Sequence, residues 1–232
     1  MNNDRTINRQ SRAVLWDLDG TLIDSTEYHW LAWRKTLAAE KYDLTPERFL
    51  ASFGQRNDVI LRDYLGPDLP ASEIERIGEA KEQLYRELVR TRGIELLPGV
   101  ARWLAQLSAG GWRQAITTSA PRLNVEAILA ALGLEGRFDA IIAAEDVERG
   151  KPDPQIFLLA AAKFKTPPRR CVVVEDAPAG IEGARRAGMR SIGVLSTRSD
   201  LKADLVTASL AALPPDAFDR LLDEDESPAA AE

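Results

Sequence analysis

The stretch "VLWDLDGTLIDS" (14–25) decides the reading of this chain, because an apolar run rich in Val, Leu and Trp ends on two aspartates, Asp17 and Asp19, followed by Gly20 and Thr21. A buried strand does not finish on two carboxylates without compensation, since unpaired buried charges are very costly. The stretch therefore predicts a strand whose end carries a cation or a chemical task.

Four further runs have the same Val/Ile-rich character: "RQAITT" (113–118), "DAIIA" (139–143), "CVVVE" (171–175) and "SIGVL" (191–195). Helical patterns at 121–132, 153–164 and 178–187 lie between the later ones. Strand and helix alternating in this way predict an α/β fold with a Rossmann-like, doubly wound parallel sheet covered on both faces. The interval after the first strand is the exception, with amphipathic helices expected at 27–40, as a short pair around 46–64, and at 72–90, and no strand. It reads as an inserted helical cap. The expected organisation is a catalytic core of residues 13–25 and 93–213, a cap of 26–92, and disordered tails at 1–12 and 224–232.

The whole chain sets limits on function. It has 232 residues, 45% hydrophobic and 28% charged, enough for a core domain with a smaller insertion. A net charge of −6 with scattered basic residues argues against nucleic acid as a partner. No stretch approaches the ~18 consecutive apolar residues of a membrane span. The N-terminus has no apolar signal segment and the single cysteine, Cys171, lies in an apolar run, so a cytoplasmic protein and a core thiol are expected.

In an open parallel sheet, ligands bind at the carboxyl ends of the strands. Those ends hold Asp17-Leu18-Asp19-Gly20-Thr21, Thr118-Ser119 and Glu175-Asp176, while Lys151 stands in "RGKPDP" before the helix at 153–164. Carboxylates from two strands suit Mg²⁺, which keeps waters and accepts a phosphate oxygen. A lysine and hydroxyls would hold the remaining phosphate oxygens, leaving Asp17 to attack phosphorus and Asp19 to move protons. Taken singly, each feature has a plainer reading. "DLDG" is turn chemistry, Thr118-Ser119 and Asp176 are helix caps, and Lys151 is a solvated loop residue. Four such coincidences in this order are less economical than one site.

"DLDGT", "TTSAP", "GKPDPQIF" and "VVVEDAPAGIEGARRAGM" together resemble the four motifs of the haloacid dehalogenase-like superfamily, over residues 13–213. The helical insertion is similar to the small cap of the subgroup that contains β-phosphoglucomutase, phosphoglycolate phosphatase and sugar phosphatases. The resemblance implies Mg²⁺ held by the Asp17 side chain, the Asp19 backbone carbonyl and Asp176, with Glu175 beside the metal and Thr118, Ser119 and Lys151 on phosphate. Ala177 departs from the pattern, standing where a serine often follows the acidic pair.

In the cap, Ile74, Ile77, Leu84 and Leu88 form an apolar stripe interrupted by Lys81, which either snorkels at its edge or points into the cleft. "FGQRND" (53–58) offers Gly54, Gln55 and Arg56, with the arginine suited to phosphate or to solvent. His29 borders a face made by Trp30, Trp33 and Leu37. By the resemblance, His29 assists the acid–base aspartate, and Arg56 and Lys81 contact a sugar phosphate. The expected activity is hydrolysis of a small phosphorylated sugar by a monomeric enzyme. A sugar phosphomutase is the alternative, with Thr21 the residue common among phosphatases. A phosphorylation-switched signalling module is weaker because it needs no enclosing cap, and a dinucleotide-binding oxidoreductase lacks GxGxxG after the first strand.

Overall fold

The computed structural model describes residues 11–223, in which six parallel strands form one sheet in the order β3-β2-β1-β4-β5-β6. The strands are β1 (Ala13–Trp16), β2 (Arg113–Thr117), β3 (Ala140–Ile142), β4 (Cys171–Glu175), β5 (Arg190–Val194) and β6 (Leu205–Thr207). β1 lies between β2 and β4, with Leu15 opposite both Ala115 and Val173. Every β1 side chain is therefore buried, as expected of a central strand in a sheet covered on both faces.

The period-two alternation of strand side chains separates two cores. Val14, Trp16, Ile116, Val172 and Val174 face one layer, with α5 (Val100–Ala109), α6 (Arg122–Leu132) and α9 (Ala217–Asp223). Ala13, Leu15, Ala115, Cys171 and Val173 face the other, with α7 (Gln155–Phe164) and α8 (Pro178–Arg186). The helices α1 (Thr26–Ala39), α2 (Pro46–Ser52), α3 (Asn57–Leu65) and α4 (Ala71–Arg92) follow β1 and share a third cluster around Trp33, Leu37, Phe49, Leu61 and Ile77. Thr45 caps α2 with its hydroxyl and Pro46 opens it, which fixes where that helix starts. None of the helices described is long and apolar enough to cross a membrane.

Several expectations need correcting. The core runs past residue 213: Phe218 of α9 packs its ring 4.8 Å from Trp103 and 5.9 Å from Trp16. Ser11 and Arg12 are not tail, because the Arg12 carbonyl accepts from Arg113 and its guanidinium pairs with Asp219 and with the Gly110 carbonyl. The other tail residues, 1–10 and 224–232, lie outside the described residues. β6 was not expected at all. The buried face of α4 is Ile77, Lys81, Tyr85 and Val89 with Gly78, Glu82 and Arg86, while Ile74, Leu84 and Leu88 are only half-buried. The i, i+4 spacing through Lys81 is thus the true stripe, rotated from the all-apolar one.

Candidate active site

The chain turns from β1 to β2 on one side and reaches β4 on the other, so the crevice beyond the ends of β1 and β4 is a topological switch point. Asp17 extends the ladder by one bond, its N–H donating to the Val174 carbonyl at 2.9 Å, which holds its carboxylate at the mouth. The chain then coils tightly: the Gly20 N–H donates to the Ile23 carbonyl and the Leu22 N–H to Leu18. Gly20 has φ +81°, and a Cβ there would lie 2.2 Å from Asp176 Oδ2. Only glycine lets this loop pass so close to β4.

Lys151 joins the two acidic strand ends. Its ammonium donates to Asp17 Oδ1 at 2.6 Å, to Glu175 Oε1 at 2.5 Å and to the Thr117 carbonyl at 3.0 Å. The solvated-loop reading of Lys151 is therefore wrong. Glu175 uses its other oxygen to accept the N–H groups of Asp176 and Ala177, and a Cβ on Gly180 would overlap its carboxylate. Oxygens of Asp17, Glu175 and Asp176 lie within 4.8 Å of one another. Burial first, and then Glu175 and Asp176, push the Asp17 carboxyl well above its ordinary range despite Lys151. Burial and then Glu175 push Asp176 up to about 7. Burial opposes charge on Lys151, but the carboxylates of Asp17 and Glu175 outweigh it and hold the ammonium above its usual value. The cluster thus has more negative charge than one lysine balances, and its all-oxygen donor set fits a divalent cation such as Mg²⁺.

Asp19 faces away from this cluster, towards the cap helices. Its Oδ1 accepts from Ser25 Oγ at 2.5 Å, meets His29 Nε2 at 3.2 Å and accepts from the Tyr85 hydroxyl at 3.4 Å. Burial raises its pKa, but the field and hydrogen bonds of His29, with Ser25 and Lys81, leave it lowered overall. His29 stacks on Tyr85 at 4.1 Å between ring centroids. Lys81 is 2% exposed and reaches His29 Nδ1 at 2.8 Å, so it does not snorkel to the surface. The sequence reading missed Ser25, Tyr85 and Glu82. Tyr85 is one turn beyond Lys81, a signal that was available.

One cavity collects Asp17, Asp19, His29, Gly54, Gln55, Lys81, Thr118, Ser119, Lys151, Glu175 and Asp176 between sheet and helices. Its free volume is about 60 Å³, below the roughly 300 Å³ of small-ligand pockets. Thr118 Oγ1 accepts from the Ala120 N–H, and α6 starts later with Pro121 as its first flanking residue, so neither Thr118 nor Ser119 caps that helix. Asp176 does not cap α8 either, whose flanking residue is Ala177. Arg56 stands apart from the other candidates. It is absent from the cavity lining, and its guanidinium donates to Asp58 and to the carbonyls of Ala144 and Val147. Those two carbonyls make it a tie between α3 and the loop after β3.

A family model described as haloacid dehalogenase-like hydrolase matches residues 11–188. The chain belongs to the haloacid dehalogenase-like hydrolases. Among relatives of this enzyme family, β-phosphoglucomutase of Bacillus subtilis is 34% identical over 206 residues, covering 84% of this chain and 88% of that one. Hexitol phosphatase A of Escherichia coli is 36% identical over 187 residues, covering 79% and 82% respectively. The crystal structure of β-phosphoglucomutase from Clostridium difficile superposes with a TM-score of 0.82 at 27% identity, covering 94% of this chain and 99% of that one. The dehalogenase-like fold, with its parallel sheet and helical flanks, is thus common to phosphatases and to a mutase.

Proposed function

We propose that the protein is an Mg²⁺-dependent phosphatase that hydrolyses a small phosphorylated sugar through an aspartyl phosphate on Asp17. The observation that carries this reading is the pairing of Lys151 with Asp17 and Glu175 at 2.6 and 2.5 Å beside Asp176. It supports a reading in which Asp17 is the nucleophile, Lys151 the cation for phosphate oxygens and Asp176 a metal-binding carboxylate at one strand-end crevice. Relatives named as hexitol phosphatase and fructose-1-phosphate phosphatase support the substrate class.

Asp17, the Asp19 backbone carbonyl and Asp176 would hold Mg²⁺, which when bound offsets the charge of carboxylate and phosphate together. A carboxylate oxygen of Asp17 attacks phosphorus, the bond from phosphorus to the leaving oxygen breaks, and Asp19 gives that oxygen its proton. A phosphate dianion arriving beside Asp19 raises its proton affinity and so supplies the acid form. Thr118, Ser119 and Lys151 hold the non-bridging oxygens. In the second half, Asp19 takes a proton from water as the water oxygen attacks phosphorus and Asp17 leaves. Residues 26–92 act as a cap over the core, closing to enclose the substrate, with His29, Gly54, Gln55 and Lys81 facing it.

The alternative is a sugar phosphomutase, in which a sugar hydroxyl replaces water in the second half; the β-phosphoglucomutase relatives favour it. Product identification across hexose, hexitol and pentose phosphates, with β-glucose 1-phosphate included, separates the two. Inorganic phosphate as the dominant product supports hydrolysis. Conversion of β-glucose 1-phosphate to the 6-phosphate, dependent on a bisphosphate activator, overturns it.

A further inference from the structure

Glu82 of α4 is 2% exposed and follows Lys81 directly, on the face that α4 turns to α6 rather than to solvent. Three groups converge on it. Oε1 accepts from Lys81 Nζ at 2.8 Å and from Asn57 Nδ2 at 2.7 Å, and Oε2 accepts from Asn124 Nδ2 at 2.5 Å. Asn124 belongs to α6 on the sheet and is itself held by Arg86 Nη1 at 3.1 Å. Burial opposes charge on Glu82, but Lys81, His29 and the hydrogen bonds from Lys81 and Asn124 outweigh it and keep the carboxyl below its usual range.

An ammonium has three N–H donors and no lone pair. Lys81 touches both Glu82 and His29 Nδ1 at 2.8 Å, between the rings of Trp33 and Tyr85. With the Lys81 ammonium donating to it, Nδ1 can only accept. The imidazole proton is then on Nε2, the nitrogen that faces Asp19 Oδ1. We infer that Glu82 is a positioning residue: by anchoring the Lys81 ammonium on His29 Nδ1, it fixes the histidine as an Nε2–H donor to Asp19, and through Asn124 it does so only when the cap is seated on the core. This rests on the reading of Asp19 as the proton-transfer group. It assigns a role to a carboxylate that the proposed reaction does not otherwise use, and it makes the cap's closure part of the acid–base apparatus.

His29 is the only histidine of the chain, so one ¹⁵N-labelled imidazole gives an unambiguous spectrum. Long-range ¹H–¹⁵N correlation on the full-length protein is expected to show an unprotonated Nδ1 and a protonated Nε2. In Glu82→Gln this pattern should shift towards mixed tautomers, with kcat on the best sugar phosphate falling about 10- to 100-fold and KM changing less than about threefold, a fraction of what general acid–base catalysis supplies. Because Glu82 acts through Lys81, Glu82→Gln added to Lys81→Met should cost nothing further. Protonated Nδ1 in the wild type, an unchanged imidazole in Glu82→Gln, or additive losses in the double variant would each overturn the inference. If Glu82→Gln does not fold, Asn57→Ala and Asn124→Ala loosen Glu82 while leaving Lys81 intact, and an unshifted imidazole in both overturns it equally. The spectrum needs no turnover. Absence of phosphate release from every sugar phosphate would sink the functional reading alone, while an unchanged spectrum would sink this inference alone.

Discussion

Replacing Lys151 with methionine probes the charge balance that the site is built on. The lysine side chain is 6% exposed, and Asp17 and Glu175 both depend on it. Removing one partner of a buried ion pair costs about 3–5 kcal/mol. For a chain of this length, at about 2–4 °C per kcal/mol, Tm should drop by roughly 6–20 °C. The pH dependence has a fixed sign. The Asp17 carboxyl is already raised by burial and its acidic neighbours, and loss of Lys151 raises it further. A carboxyl raised in the folded state destabilises as pH climbs, from its unfolded value near 4 towards the folded one. The Tm difference between Lys151→Met and wild type in metal-free buffer should therefore be small near about pH 4 and grow towards about pH 8. Wild-type Lys151 stays charged across that window, because its pKa is raised by Asp17 and Glu175, so the lysine's own titration adds no slope and the pH dependence comes from the carboxyl. Scanning calorimetry across the range measures this, and Mg²⁺ added at neutral pH should recover part of the loss. A pH-independent Tm difference, or a destabilisation below about 1 kcal/mol near about pH 8, would refute the reasoning. Phosphate release should fall by about 10²- to 10³-fold or more, the usual cost of losing a donor to the transferring group.

Three other outcomes follow. Gly20→Ala forces a left-handed alanine, worth roughly 1–2 kcal/mol by itself, and drives a methyl into Asp176; Mg²⁺ affinity by titration calorimetry should weaken about 10- to 100-fold. Cys171 is fully buried and its thiol is pushed up to about 12 by burial, so a thiol reagent at mildly alkaline pH should label it only on unfolding. Arg56→Ala removes the tie to the Ala144 and Val147 carbonyls; hydrogen exchange in the loop 144–151 should quicken and KM should rise, with little change in Tm.

The strand ends were legible because period and residue type coincide there. A fully buried central strand must be a continuous apolar run, and Asp17 marks where that run stops. Lys151 and the acidic pair could be ordered into one crevice by topology alone. Other features depend on contacts that no local pattern carries. β6 is three residues long and is made a strand only by pairing with β5. Arg56 is equally suited to a phosphate or to two loop carbonyls, and only the placement of α3 against the loop after β3 decides between them. Glu82, a charged residue beside a charged residue, reads as solvated surface until α6 brings Asn124 to it. The rotation of α4 by part of a turn was concealed because Lys81, Glu82 and Arg86 on its buried face are all polar.

The most direct test of the central claim is chemical quenching of the enzyme during turnover, followed by mapping of the phosphoryl group. The account predicts label on the peptide containing Asp17, and its absence from Asp17→Asn together with turnover. Steady phosphate release by a folded Asp17→Asn variant would contradict it.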